Sequence, residues 1–112
     1  MVASQVELAE KIDDFVRRIR SAVAVDAVIL FGSYAKGNAD DSSDVDVAVV
    51  SPDFEGTSTW QRQDTIARAT VGRGHRLAPV GFASSEYRSP DSTPFLREII
   101  RTGRVVYEAP AE

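Results

Sequence analysis

The sequence contains no cysteine and a single histidine, His75. The first absence excludes a disulfide framework, a thiolate metal site and a cysteine nucleophile. The second excludes any centre that needs two histidines, the usual zinc hydrolase patterns among them. Long hydrophobic runs are missing as well. The longest unbroken apolar stretch is Ala27 to Phe31, far below the roughly 20 residues of a membrane-spanning helix, so no membrane partner is expected. Met1 to Glu7 lacks a basic segment followed by an apolar one, so no secretory leader is read and the expected location is cytoplasmic. Nor is there an excess of positive charge. Residues 1–53 hold 5 Lys/Arg against 10 Asp/Glu, a balance of −5, and residues 54–112 hold 8 against 7, a balance of +1. A nucleic-acid binder leans on many phosphate contacts from a basic surface, so nucleic acid is not expected as a partner. A small anion carried with its own cations remains compatible with the charge.

What is present is ordinary for a globular chain. The 112 residues are 43% hydrophobic and 27% charged, which predicts a single domain over 1–112. Ser4-Gln5-Val6-Glu7 has the form of a capping box, and Leu8, Ile12, Phe15, Ile19 and Val23 then recur at helical spacing. Arg17, Arg18 and Arg20 fall on the solvated face of that helix. Val25 to Phe31 reads as a buried strand ending at Gly32. Ser33 to Lys36 predicts a short helix capped by Ser33 and stopped by Gly37-Asn38. Asp40 to Ser43 reads as a polar loop, and Asp44 to Val50 as a second strand. Ser58-Thr59-Trp60-Gln61 opens a helix running to about Val71, with Gly72 and Gly74 breaking it. His75 to Phe82 reads as a third strand and Ser84 to Ser92 as loop. Thr93 caps a last helix that has Pro94 at its first position and Gly103 past its end, and Arg104 to Tyr107 closes the chain as a short strand. The alternation predicts an α/β (α+β) layer fold, a small mixed sheet with flanking helices. Trp60, Phe82 and Phe95 are assigned to the core rather than to a nucleobase.

The chemistry concentrates between Gly32 and Asp46. Gly32 allows a sharp turn and close approach of backbone to a ligand, and the helix start that follows favours an anion. By itself this is equally a strand-to-helix turn with an ordinary cap. Asp44 and Asp46 lie two apart on a strand and so face the same way, about 6–7 Å apart along it. Two like charges leading into Val47-Ala48-Val49-Val50 are costly without a cation, and Mg²⁺ is the hard ion that suits carboxylate oxygens. The alternative is a solvated strand end in an acidic loop.

Taken together, Phe31-Gly32-Ser33-Tyr34-Ala35-Lys36-Gly37 followed by Ser43-Asp44-Val45-Asp46-Val47-Ala48-Val49 resembles the motif of the DNA polymerase β-like nucleotidyltransferase superfamily. The whole length resembles its minimal nucleotidyltransferase (MNT) members, and Phe95 to Gly103 resembles their closing helix. The resemblance implies the nucleotidyltransferase fold, with ATP as substrate and Mg²⁺ or Mn²⁺ as cofactor. Asp44 and Asp46 would be the catalytic metal ligands, with Gly32 and Ser33 holding the terminal phosphates. Lys36 stands where the family more often has arginine and could pair with phosphate, though it reads equally as a solvated helix-end lysine. One position departs from the pattern. By resemblance a third carboxylate belongs at Ala78, and alanine neither binds a metal nor takes a proton. Glu86, Asp53 and Glu55 are poor substitutes by position. A degenerate member, an altered residue and a different strand alignment all remain open.

Shortness carries a further expectation, since larger relatives add a helical domain for the acceptor. The resemblance therefore implies transfer of AMP to a hydroxyl of a partner protein, as in antitoxins paired with a HEPN toxin. Two alternatives stand beside it: a catalytically impaired nucleotide-binding domain that neutralises its partner by binding, and a small-molecule, aminoglycoside-type nucleotidyltransferase. Homo-oligomerisation is left open.

Overall fold

The computed structural model describes residues 5–40, 42–70 and 77–110. Helix α1 spans Gln5–Ala22, strand β1 Ala27–Phe31, helix α2 Gly32–Lys36 and strand β2 Val45–Ser51. Helix α3 spans Thr59–Thr70, strand β3 Leu77–Ala83, helix α4 Ser84–Arg88, helix α5 Pro94–Thr102 and strand β4 Arg104–Glu108. Single 3₁₀ turns occupy Pro52–Phe54 and Pro90–Ser92. The sheet order is β3-β2-β1-β4. Strands β1/β2 and β1/β4 are antiparallel and β2/β3 parallel, so the sheet is mixed, as the alternation of elements predicts.

The central strands are apolar on both sides because both faces are covered. One face carries Val28, Leu30, Val45, Val47 and Val49 against Leu8, Ile12, Phe15, Val16 and Ile19 of α1 and Ile66 of α3. The other carries Ala27, Ile29, Ala48, Val50 and Phe82 against Leu96 and Ile99 of α5, with Tyr87 of α4 packed beside them. Period-2 alternation on β2 therefore puts Asp46 in line with Ala48 and Val50, on the α4/α5 face. The longer helices α1 and α3 cover one face and the shorter α4 and α5 the other, where Asp46 stays partly uncovered.

Local chemistry explains most boundaries. The capping box at α3 is reciprocal: Ser58 Oγ accepts from the Gln61 N–H at 3.1 Å and Gln61 Oε1 accepts from the Ser58 N–H at 2.8 Å. The box proposed at Ser4 lies outside the described residues, as do Val71, Gly72, Gly74 and His75. Several expectations are corrected. Ser33 is not the cap of α2. The cap is Phe31, no side chain bonds to it, and Ser33 lies inside the first turn. Gly32 makes the turn into α2 with a left-handed φ of 72°, a conformation that glycine adopts at little cost. β1 starts at Ala27 rather than Val25, and β2 at Val45, so Asp44 immediately precedes the strand. The expected loop Ser84 to Ser92 is a helix and a 3₁₀ turn. Glu86 Oε1 accepts from the Ala83 N–H at 2.8 Å, which is half a capping box; the alanine in place of Ser or Thr hides it from the sequence. Thr93 precedes α5 without a side-chain cap bond. Phe82 is core, but Trp60 is 73% exposed. It sits six residues before Ile66, the buried residue of α3, and so about 120° away around the helix. Phe95 is also outside the core.

Candidate nucleotidyl-transfer site

The site forms where β1 turns into α2 alongside β2. Register pairs Phe31 of β1 with Asp46 of β2, and Asp46 in turn with Ala78 of β3. Gly32 follows Phe31 at φ 72°, and a Cβ placed there would lie 2.1 Å from Asp46 Oδ2. Backbone thus runs directly against the carboxylate, a proximity that only glycine permits. Gly32→Ala should lower stability by at least about 2 kcal/mol, from left-handed strain plus displacement of Asp46. Gly37, at φ 78° with nothing within 4 Å of its Cβ position, provides the control. Thermal unfolding should show Gly37→Ala losing only the strain, roughly half as much. Equal losses would contradict the close contact at Gly32.

The Asp46 carboxyl is pushed above the usual carboxylate range, first by burial and then by the charge of Asp44. Among the described residues it has no hydrogen bond or ion pair that would offset this. The loop before β2 fixes where Asp44 stands. Asp40 Oδ1 accepts from the Ser42 N–H at 2.9 Å and from Ser42 Oγ–H at 2.7 Å. The Asp40 N–H donates to Ser43 Oγ at 2.9 Å. These Ser42 bonds hold the Asp40 carboxyl below its ordinary value. Asp40 is therefore a turn former, which the Asp-x-Ser-Ser pattern could have signalled. Asp44 is exposed and next to Asp46 in charge, as their spacing requires.

Gly32, Ser33, Asp44 and Asp46 come together. Lys36 ends α2, exposed, and its charge acts on Glu98 of α5. The other carboxylates after β2 and β3 have structural duties. Asp53 Oδ2 accepts from the Ala24 N–H at 2.9 Å. Glu55 accepts from the N–H and Oγ–H of Ser85 at 2.8 and 2.7 Å, bonds that lower its pKa. Glu86 pairs with Arg62 Nη1 at 2.8 Å, and that arginine is half-buried and also donates to Gly81 O. Among the described residues no group of three His, Cys, Asp or Glu side chains is placed to hold a metal.

The family model described as "Polymerase beta, Nucleotidyltransferase" matches residues 10–112. The chain belongs to the polymerase β-type nucleotidyltransferase family. It is similar to the Methanocaldococcus jannaschii protein named "Putative protein adenylyltransferase MJ0141", with 45% identity over 101 residues covering 88% of this chain and 97% of that protein. Its fold is that of "a putative nucleotidyltransferase from Sulfolobus solfataricus", with a TM-score of 0.72 and 17% identity over 93% of this chain and 83% of that one. It is also that of the MNT antitoxin complexed with tri-AMPylated HEPN toxin of Shewanella oneidensis, at TM-score 0.57 and 18% identity over 91% and 71% of the two chains. Among the described residues no helix is long and apolar enough to cross a membrane.

Proposed function

We propose that this protein transfers AMP from ATP to a hydroxyl of a HEPN-type partner protein, as an antitoxin, with Asp44, Asp46, Gly32 and Ser33 forming the nucleotide site. The observation that carries the reading is the packing of the Gly32 turn against Asp46, which brings the glycine–serine motif and the paired carboxylates into one place. The relationship to an adenylyltransferase and to an MNT antitoxin bound to an AMPylated toxin supports the nucleotide and the acceptor class.

The residues fit one hard divalent cation. Asp44 and Asp46 repel each other, Asp46 is half-buried without an offsetting partner among the described residues, and carboxylate oxygens suit Mg²⁺ or Mn²⁺. A bound ion would neutralise phosphate charge there. The chain's own part is positioning. Asp44 and Asp46 hold the cation-bearing triphosphate, while Ser33 and the backbone around Gly32 receive its terminal phosphates. The acceptor oxygen forms a bond to the α-phosphorus, the bond to pyrophosphate breaks, and the hydroxyl proton passes to solvent. Pairing of Asp46 with Ala78 favours a second reading. Lacking an acid at that register position, the chain neutralises its partner mainly by binding. Incubating the protein with α-labelled ATP, Mg²⁺ and a HEPN-type partner tests both. Label on the partner is expected at low yield together with a stable complex. Absence of both label and complex would overturn the proposal.

A further inference from the structure

Phe95 keeps 53% of its surface exposed, yet its ring is held in place. Its centroid lies 5.7 Å from that of Phe31 at an interplanar angle of 83°, and 6.0 Å from that of Phe82 at 60°. Phe31 is the β1 residue paired with Asp46, so the anchored ring is one side chain removed from the carboxylate. Along the same sheet face the row after Asp46–Ala78 is Ala48–Val80. Ala48 is fully buried, whereas Ala78 and Val80 are only partly covered. Val80 lies on β3 between Ala78 and Phe82 on that face, and Phe82 touches the Phe95 ring. The two larger helices α1 and α3 pack on the opposite face, and α5 covers β1 and the Phe82 end through Leu96 and Ile99.

We infer that Phe95 is the platform against which the base of the bound nucleotide stacks, with Val80 as apolar floor beside it. This rests on the nucleotide reading of the Gly32–Asp46 site. If the phosphates are held at that site, the base must leave it, and Phe95 with Val80 offers an apolar surface on the same sheet face as Asp46. A purine or pyrimidine offers a flat π-face to an aromatic ring, a contact that tolerates every base and is lost when the ring is removed. An edge-to-face contact with Phe31 and a tilted one with Phe82 fix the ring before the base arrives, so little conformational entropy is lost on stacking. Selectivity should then follow ring size, purine over pyrimidine, because stacking strength and not hydrogen-bond readout decides it.

Calorimetry with Mg²⁺ and either ATP, CTP or inorganic tripolyphosphate as the probe tests this. Phe95→Ala should weaken ATP on the order of tenfold, narrow the gap between ATP and CTP, and leave tripolyphosphate unchanged. Phe95→Trp should keep the wild-type ATP affinity. Phe95→Leu, which still covers Phe31 and Phe82 but has no π-face, should behave like the alanine variant and carries the test if Phe95→Ala does not fold. Equal weakening of ATP and tripolyphosphate, or an unchanged ATP affinity in both Phe95→Leu and Phe95→Ala, overturns the stacking role while leaving the phosphate site intact. A wild-type protein that binds neither ATP nor tripolyphosphate overturns the underlying reading as well.

Discussion

The variant Asp44→Asn/Asp46→Asn should lose the Mg²⁺-dependent part of ATP binding altogether, while its ligand-free form unfolds at a higher temperature than the wild type. The two effects have one cause. In the free protein the Asp46 carboxyl is raised above its ordinary value by burial and by Asp44, so its ionised form is disfavoured by folding. An acid whose folded pKa exceeds its unfolded pKa adds no penalty below the unfolded value. The penalty grows as pH rises from the unfolded pKa toward the folded one and is complete above the folded pKa. Amide in place of carboxylate removes it. The gain in melting temperature should therefore be present at pH 7 and shrink as the pH falls below the ordinary Asp value, where Asp46 takes up its proton folded or unfolded. With Mg²⁺-ATP present the order should reverse, because a ligand that binds only the folded state stabilises only the variant that can bind it. Calorimetry in the presence and absence of Mg²⁺, with unfolding scans over that pH range, reads all of this. Equal Mg²⁺-ATP affinity in wild type and variant would remove the carboxylates from the site. Such a trade between stability and function is expected wherever like charges are gathered for a ligand.

The strands that carry the site were legible because their signals are local. Val47 to Val50 is continuously apolar since both faces of β2 are covered, and Ala27 to Phe31 for the same reason. Ser58 and Gln61 announce α3 through a reciprocal bond three residues long. Gly32-Ser33 and the two aspartates, with ten residues between Ser33 and Asp44, come together because a five-residue helix and one Asp40-pinned turn close the distance. What could not be read was decided by tertiary partners. Helix α4 depends on Glu86 reaching back to Ala83 and on Glu55, 30 residues away, accepting from Ser85. Trp60 and Phe95 look like core residues by type, but their helix faces are set by Ile66 and by Leu96 and Ile99, and each falls off the buried stripe. Lys36 stands at the exposed end of α2, where its charge acts on Glu98. Ser33 looks like a cap, but Phe31 precedes the helix and Ser33 lies within its first turn.

The same register sets the expectation for Ala78. It is the β3 partner of Asp46 in a parallel pair, so the two side chains share a face, and a longer side chain at 78 would stand beside the Asp46 carboxylate. We expect nucleotidyl transfer by this chain to be slow while nucleotide binding persists, and Ala78→Asp or Ala78→Glu to raise the transfer rate by about tenfold or more. The asymmetry comes from when each group acts. Asp44 and Asp46 hold the triphosphate before reaction and continue to do so during it. An acid at 78 would act on the incoming hydroxyl, drawing its proton or its share of cation charge as the bond to phosphorus forms. A group engaged mainly in the transition state changes the rate with little change in ground-state affinity, and a positioned proton acceptor contributes about 10²–10⁴ at best. Neither Glu86, tied to Arg62, nor Glu55, tied to Ser85, can stand in for it without breaking those bonds. Adding a third carboxylate should also lower the melting temperature of the ligand-free protein, since it raises the repulsion that already disfavours ionised Asp46. Label transfer from α-labelled ATP to a HEPN-type partner, measured beside ATP affinity, separates the two quantities. The expected pattern is a higher rate, near-constant affinity and a less stable free protein. Robust wild-type transfer that neither substitution increases would place the acceptor-activating group elsewhere.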